Sequence, residues 1–209
     1  NQTFLDKEFE EKTKKITNLK NYKNNLKNLN LIIDQSLRKD FIKQEIQKIS
    51  NRNSLKVDIN PLLLEEVTNL VEQPNIILCK FDKKFLKIPR EILIITMQNH
   101  QKYFHALDNK GDITNQFFVV ANNKDLKGFI KSGNERVIEA RLSDAEFFWN
   151  KNKNQNLLKQ MSKLKNMNYF KGLGTYFDKT QRMRKLGGFI SDQLLISKDK
   201  IEISCSICK

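Results

Sequence analysis

The sequence predicts an α+β fold: a small, mostly antiparallel sheet packed with helices, followed by an all-helical segment. Three observations carry this. Asn-Lys-Gly-Asp (109–112) lies between QKYFHALD and QFFVVAN, the layout of an antiparallel hairpin turning on a glycine. Stretches with helical apolar spacing precede that hairpin. Beyond about residue 125 the strand signals stop, and 134–150, 155–166, 178–195 and 199–208 all carry the helical period. The expected division is therefore an α/β module over 1–124 and a helical segment over 125–209.

Taken in order, residues 4–29 are lysine-rich with few breakers and read as helical. NLIID (30–34) is a short apolar strand candidate. Leu37, Phe41, Ile42, Ile46 and Ile49 then return to helical spacing. Asn60 before Pro61 reads as a helix start, an N-cap side chain followed by a proline at the first helical position. Pro74 ends that helix. NIILCKF (75–81) reads as a buried strand. IPREILIITM (88–97) is torn between two readings. Its β-branched run favours a strand, while Pro89 and Glu91 at a helix start favour a helix, and a helix is the choice. No internal repeat or low-complexity linker is present.

Charge narrows the partners. A formal net charge of +14 suggests a polyanion, with nucleic acid first. The bland alternative is a lysine-rich solvated surface, since only seven of the 38 basic residues are Arg. No apolar run approaches the roughly 20 residues of a membrane span, so no membrane partner is expected. The first residues, NQTFLDKEFEEK, lack a secretory layout and an initiator Met, which suggests a processed chain or a fragment. Three cysteines, Cys79, Cys205 and Cys208, make no disulfide framework and point to a reducing compartment.

The chemistry-bearing residues form no catalytic set. Cys205 and Cys208 make one CxxC with no second pair to complete a zinc site, and their i, i+3 spacing suits one helix face. His100 and His105 flank Tyr103–Phe104 without further ligands nearby, so surface or capping roles are expected. KGLGT (171–175) holds a lone GxG outside any strand–loop–helix context, so its glycines read as turn residues between helices. No catalytic residue and no metal site is therefore assigned. In NERVIEARLSDAEFFW, Arg141 shares a helical stripe with Val137, Ala145 and Phe148. It either pairs with Asp144 in a buried ion pair or points into a functional groove. Asn134 and Arg136 would stand at that helix's start, where an anion can bind. Lys179, Arg182, Arg184 and Lys185, beside Tyr176 and Phe177, form a basic helix face compatible with RNA.

In order along the chain, FLKIPREILIITMQNHQKYFHALDNKGDI, QFFVVANN, SGNERVIEARLSDAEFFWNK and LGT-x-x-DKTQRM resemble the β subunit of bacterial heterotetrameric glycyl-tRNA synthetase. The likeness runs from about residue 54 to the end, and more weakly back to about residue 18. It implies a cytoplasmic α2β2 ligase that attaches glycine to its tRNA. ATP and Mg2+ would act on the α subunit, and the β subunit would recognise the tRNA. It further implies that 1–124 is akin to the editing-type domain of phenylalanyl-tRNA synthetase, and that 125–209 leads into a truncated HD-like domain. No His-Asp dipeptide occurs in the chain, and a middle fragment of the subunit is expected. The positions expected to touch tRNA are Lys102, Arg136, Arg141, Lys179 and Arg182. Two other readings stay open: a generic basic RNA-binding scaffold and an editing-type hydrolase domain.

Overall fold

The computed structural model describes residues 2–4, 13–28 and 30–208, and the chain divides into two compact units, Asn1–Phe147 and Phe148–Lys209. The first unit is built on a three-stranded antiparallel sheet. Its strands are β3 (Asn75–Lys80), β4 (Phe104–Leu107) and β5 (Ile113–Ala121), in the order β3-β5-β4. The pairing runs from Asn75↔Ala121 to Lys80↔Gln116 on one side and through Phe104↔Phe118 on the other, with a register shift between His105 and Leu107. The hairpin read around 109–112 is thus present. Gly111 sits at φ +91°, a backbone state that glycine adopts without strain.

Both faces of this sheet are covered, and side-chain alternation sorts the residues between them. On one face Cys79, Tyr103, Phe117 and Val119 pack with Phe81, Phe85, Leu93 and Met97, and with Ile138 and Leu142 of α5 (Phe129–Lys153). On the other, Phe104, Ala106 and Phe118 pack with α2 (Gln35–Arg52) through Ile42 and Ile46. The same cluster takes in Leu63, Leu64 and Val67 of α3 (Pro61–Leu70). Asn60 caps α3 as read, its side chain accepting from Leu62 N and Leu63 N at 2.9 and 3.3 Å. The ambiguous 88–97 stretch is helical: α4 (Arg90–Ile95) continues through a π-helical turn over Thr96–His100. Here the proline at the entrance outweighs the β-branched run.

Four expectations for the first unit's fold are corrected. The lysine-rich start is not one helix: β1 (Gln2–Phe4) pairs with β2 (Thr13–Lys15), and helix begins only at α1 (Leu19–Asn28). Residues 5–12 and 29 of that reading lie outside the described residues. Helical propensity is a weak preference that pairing overrides. Residues 31–34 form no strand. Ile32 N donates to Glu72 O, Arg38 donates to Ile32 O, and Asp34 caps α2, so these backbone groups are satisfied without a ladder. His105 is 4% exposed rather than superficial, because β4 has helices on both faces. The buried stripe of α5 runs through Ile138 and Leu142, one position away from the expected Val137–Arg141–Ala145 stripe. One residue turns a helix by about 100°, so Arg141 points to solvent.

The second unit contains α6 (Leu157–Gln160), a 3-10 turn over Met161–Asn166, β6 (Asn168–Phe170), β7 (Gly174–Thr175), α7 (Tyr176–Leu194) and α8 (Lys198–Ile207). The strand-free reading beyond residue 125 is corrected by the β6–β7 pair. Gly172 and Gly174, at φ +82° and +77°, turn this hairpin instead of separating two helices. α7 and α8 approach closely through small residues. A Cβ on Gly187 would lie 2.8 Å from Ile201 Cγ2 and 2.9 Å from Cys205 Sγ. Cys208 Sγ donates to Cys205 O at 3.2 Å, a bond within the helix end.

Candidate nucleic-acid interface

The best-built polar surface lies in the second unit, where β6–β7 delivers the chain into α7. Thr175 and Asp178 close a reciprocal cap: Thr175 N donates to Asp178 Oδ2 at 2.8 Å, and Asp178 N donates to Thr175 Oγ1 at 3.2 Å. The Thr175 amide and hydroxyl, with Arg182 nearby, hold the Asp178 carboxyl below the usual carboxylate range. This explains the Leu-Gly-Thr-x-x-Asp spacing. The position of a Cβ on Gly174 falls on the Asp178 carboxylate, so only glycine leaves room for the cap. The Thr175 amide that opens α7 is thus taken by a carboxylate of the chain itself.

Around this cap, cations and rings interleave. Lys179 Nζ stands 4.1 Å from the Tyr169 ring centroid and 5.9 Å from that of Tyr176. Lys165 Nζ lies 4.9 Å from the Phe177 centroid. Tyr169 and Tyr176 meet edge to face at 5.3 Å. Such contacts hold the ammonium groups over rings while leaving them hydrated on the outer side. Arg182 is exposed and lies three residues after Lys179, on the same helix face. Phe170 is 68% exposed on the adjoining strand. The arrangement offers cations for phosphates and a ring for a base. Sequence reading found the α7 basic residues and missed Tyr169 and Phe170. Their signal was an aromatic pair immediately before Lys-Gly-Leu-Gly.

The four-residue basic face expected on α7 is narrower than its spacing suggests. Arg184 turns toward α8, where its Nη2 donates to Glu202 Oε2 at 2.9 Å, while Arg182 and Lys185 remain exposed.

In the first unit the three expected contact residues stand apart. Lys102, at φ +60°, pairs with Glu66 at 2.8 Å. Arg136 is exposed in the interior of α5. Arg141 meets Asp144 at 4.0 Å with more than half of each side chain exposed, so the expected buried ion pair is not formed. Arg136 and Arg141, five residues apart, point about 140° away from each other. Nor does Asn134 start the helix. It lies inside α5, donating to Ile130 O at 2.7 Å and accepting from the Tyr103 hydroxyl at 2.6 Å. The true start at Phe129 is closed by Asp125, whose carboxylate accepts from Ile130 N and Lys131 N at 3.0 and 2.8 Å. An anion is therefore already supplied at that helix end by the chain itself.

The titratable groups of the core are held in inert forms. Burial pushes the Cys79 thiol up to about 12, helped by the Glu135 carboxylate. Burial likewise raises the Tyr103 hydroxyl to about 12. His105, with Nδ1 3.0 Å from Gln98 Nε2, is held below its ordinary value by burial and by the Arg90 charge. Among the described residues, no three His, Cys, Asp or Glu side chains are grouped to hold a metal ion, and no helix is long and apolar enough to cross a membrane.

The sequence profile of the family described as "Glycyl-tRNA synthetase beta subunit" matches residues 1–209. Among curated proteins, the glycine–tRNA ligase beta subunit of Thermodesulfovibrio yellowstonii is 37% identical over 196 residues, covering 93% of this chain and 29% of that protein. Its counterpart from Dictyoglomus thermophilum is 40% identical over 183 residues, 87% of this chain and 27% of that protein. The one from Stutzerimonas stutzeri is 40% identical over 174 residues, 82% and 25% respectively. The chain thus spans between a quarter and a third of the length of these relatives.

Proposed function

The chain belongs to the glycyl-tRNA synthetase beta-subunit family, and from that premise we propose that it is a tRNA-recognising part of a glycine–tRNA ligase. In this reading aminoacylation takes place on an α subunit, which also holds ATP and Mg2+, within a cytoplasmic α2β2 assembly. The residues of this chain fit that division. Beside its lone Gly-x-Gly loop Asp178 takes the Thr175 amide, and its buried His105, Cys79 and Tyr103 are held in neutral forms. They supply neither a phosphate cradle nor an activated nucleophile. Residues 1–124 would form the module akin to an editing-type domain, and 125–209 would lead into an HD-like helical domain.

The observation that carries the reading is the cation–ring cluster beside the α7 cap, with Lys179 and Arg182 on one helix face. Lys179 and Arg182 would contact backbone phosphates, and the exposed ring of Phe170 would stack on a base. Lys102, Arg136 and Arg141 would add weaker contacts from the first unit, Lys102 only by giving up Glu66.

Titrating glycine tRNA and an unrelated tRNA over several salt concentrations tests this. Each lost phosphate contact lowers the slope of log K against log salt by about 0.7–0.9. Lys179→Ala and Arg182→Ala should each weaken binding of glycine tRNA and lower the slope by about one contact. A second reading, a generic basic RNA scaffold, is favoured by the net charge of +14. Equal affinity for the two tRNAs would establish that reading in place of the first.

A further inference from the structure

The two edges of the three-stranded sheet are treated differently. The outer edge of β4 is bridged at Leu107: Lys56 and Leu107 exchange both backbone hydrogen bonds at 2.8 Å. The outer edge of β3 is not. In an antiparallel ladder, residues alternate between pointing both backbone groups at the partner strand and pointing both away. Phe81 N donates to Asn115 O, which sets the odd-numbered residues of β3 toward β5. Ile76, Leu78 and Lys80 therefore point outward. Lys80 confirms the phase, because its N–H is taken by the Glu135 carboxylate at 2.9 Å. Ile76 and Leu78 have no such cover among the described residues. Pro74, without an N–H, ends the open stretch on one side, and Glu135 ends it on the other.

This open edge forms the floor of a groove of about 630 Å³ within the first unit. Phe41 and Glu45 of α2 make one wall, and Lys124, Asp125, Leu126 and Lys131 the other. Leu126 is 87% exposed and Phe41 38% exposed. The acidic groups of the groove are already engaged: Glu45 pairs with Lys48 at 2.9 Å, and Asp125 caps α5. Among the described residues Lys124 and Lys131 have no such partner, and the wall of Lys124, Asp125, Leu126 and Lys131 carries a net positive charge. An unpaired strand edge attracts another strand. Here the wall of Lys124 and Lys131 selects for carboxylates, and Phe41 on the opposite wall for apolar side chains.

We infer that the free edge of β3 is a strand-addition site for an extended segment of a partner protein that alternates apolar and acidic residues. The added strand pairs with the outward groups of Ile76 and Leu78. Its apolar side chains rest on Phe41, and its carboxylates, on the alternate face, meet Lys124 and Lys131 on the opposite wall. This surface is separate from the cation–ring cluster proposed for tRNA, and the inference does not depend on that reading.

A blocked peptide of alternating valine and glutamate, long enough to span β3, is the probe. Nitrogen-15 spectra and hydrogen exchange of the chain are the readout. The peptide should shift and protect the Ile76 and Leu78 amides while leaving those of Ile77 and Cys79, already paired with β5, unchanged. N-methylation of alternate peptide amides should abolish this. A valine–lysine peptide should bind about tenfold or more weakly. In the doubly substituted chain, Lys124→Glu with Lys131→Glu, that preference should reverse with the melting temperature retained. Unchanged Ile76 and Leu78 amides at saturating peptide, or equal binding of the N-methylated form, would overturn the proposal. Protection of both amides without peptide, together with a doubled molecular mass, would also overturn it, by assigning the edge to a second copy of this chain.

Discussion

The two units of the chain are held together by different means. In the first, the sheet is filled from both sides by large apolar groups, with Phe85, Phe104, Phe117, Phe118, Ile42 and Ile138 all essentially removed from solvent. Among the described residues of the second, the buried positions are Thr180, Gly188, Ser191 and Ser206. Several of its large apolar side chains, Leu186, Phe189 and Leu194 among them, are more than half exposed. The first unit is stabilised by burying area, at roughly 25 cal/mol per Å². The second relies on backbone proximity, with α7 and α8 meeting where glycine and serine permit. A phenylalanine is therefore worth very different amounts in the two places.

The sharpest way to break this contrast is to truncate one phenylalanine in each unit. Phe117→Ala should cost about 3–5 kcal/mol, because it opens a cavity in a core that cannot collapse. Phe189→Ala should change stability by less than about 0.5 kcal/mol, as for other exposed positions. Thermal and denaturant unfolding measure both, and comparable losses would remove the distinction. Next comes the helix contact of the second unit. Gly187→Val should destabilise by about 1–3 kcal/mol, since the added carbons meet Ile201 and Cys205. Loss of helical circular dichroism on mild heating, with the sheet of the first unit unaffected, is the expected sign.

A smaller effect is expected from pH. His105 is held neutral in the folded chain, below its ordinary value of 6.5. The unfolded chain therefore binds a proton first as pH falls. Stability should be full above the unfolded value, decline as pH falls through it, and level off below the folded value. Melting temperatures between pH 7 and pH 5 should show this slope, and His105→Gln should flatten it. The smallest effect is expected at Arg141. With its ion pair at 4.0 Å and exposed, Arg141→Ala should cost under about 0.5 kcal/mol. A loss of several kcal/mol would mean that the arginine is buried after all.

Much of this was legible in the residues. Asn60–Pro61 announced a helix start, Gly111 a hairpin, and the aromatic strand at 117–118 a buried sheet. The helical α7 with Lys179 and Arg182 on one face followed from spacing alone. The α5 stripe was missed by one position because Val137, Ala145 and Phe148 form as regular a row as Ile138 and Leu142. Only the packing partners decide which row is inside. The β6–β7 strands are too short to give a period, so Tyr169 and Phe170 could not be placed beside Lys179.

By itself the sequence determined which segments are helix or strand wherever turn chemistry and caps are strong, and its linked motifs carried the family. Those signals are local, set by residues within a few positions of each other. The tertiary structure alone decided that His105 is buried, that Arg141 is not, and that Asp125 occupies the start of α5. It also decided that Lys56 bridges Leu107 at the edge of β4 while Ile76 and Leu78 at the edge of β3 have no such cover among the described residues. Each of these depends on which distant group arrives to satisfy a backbone amide, a charge or an apolar face, and no local pattern records that arrival.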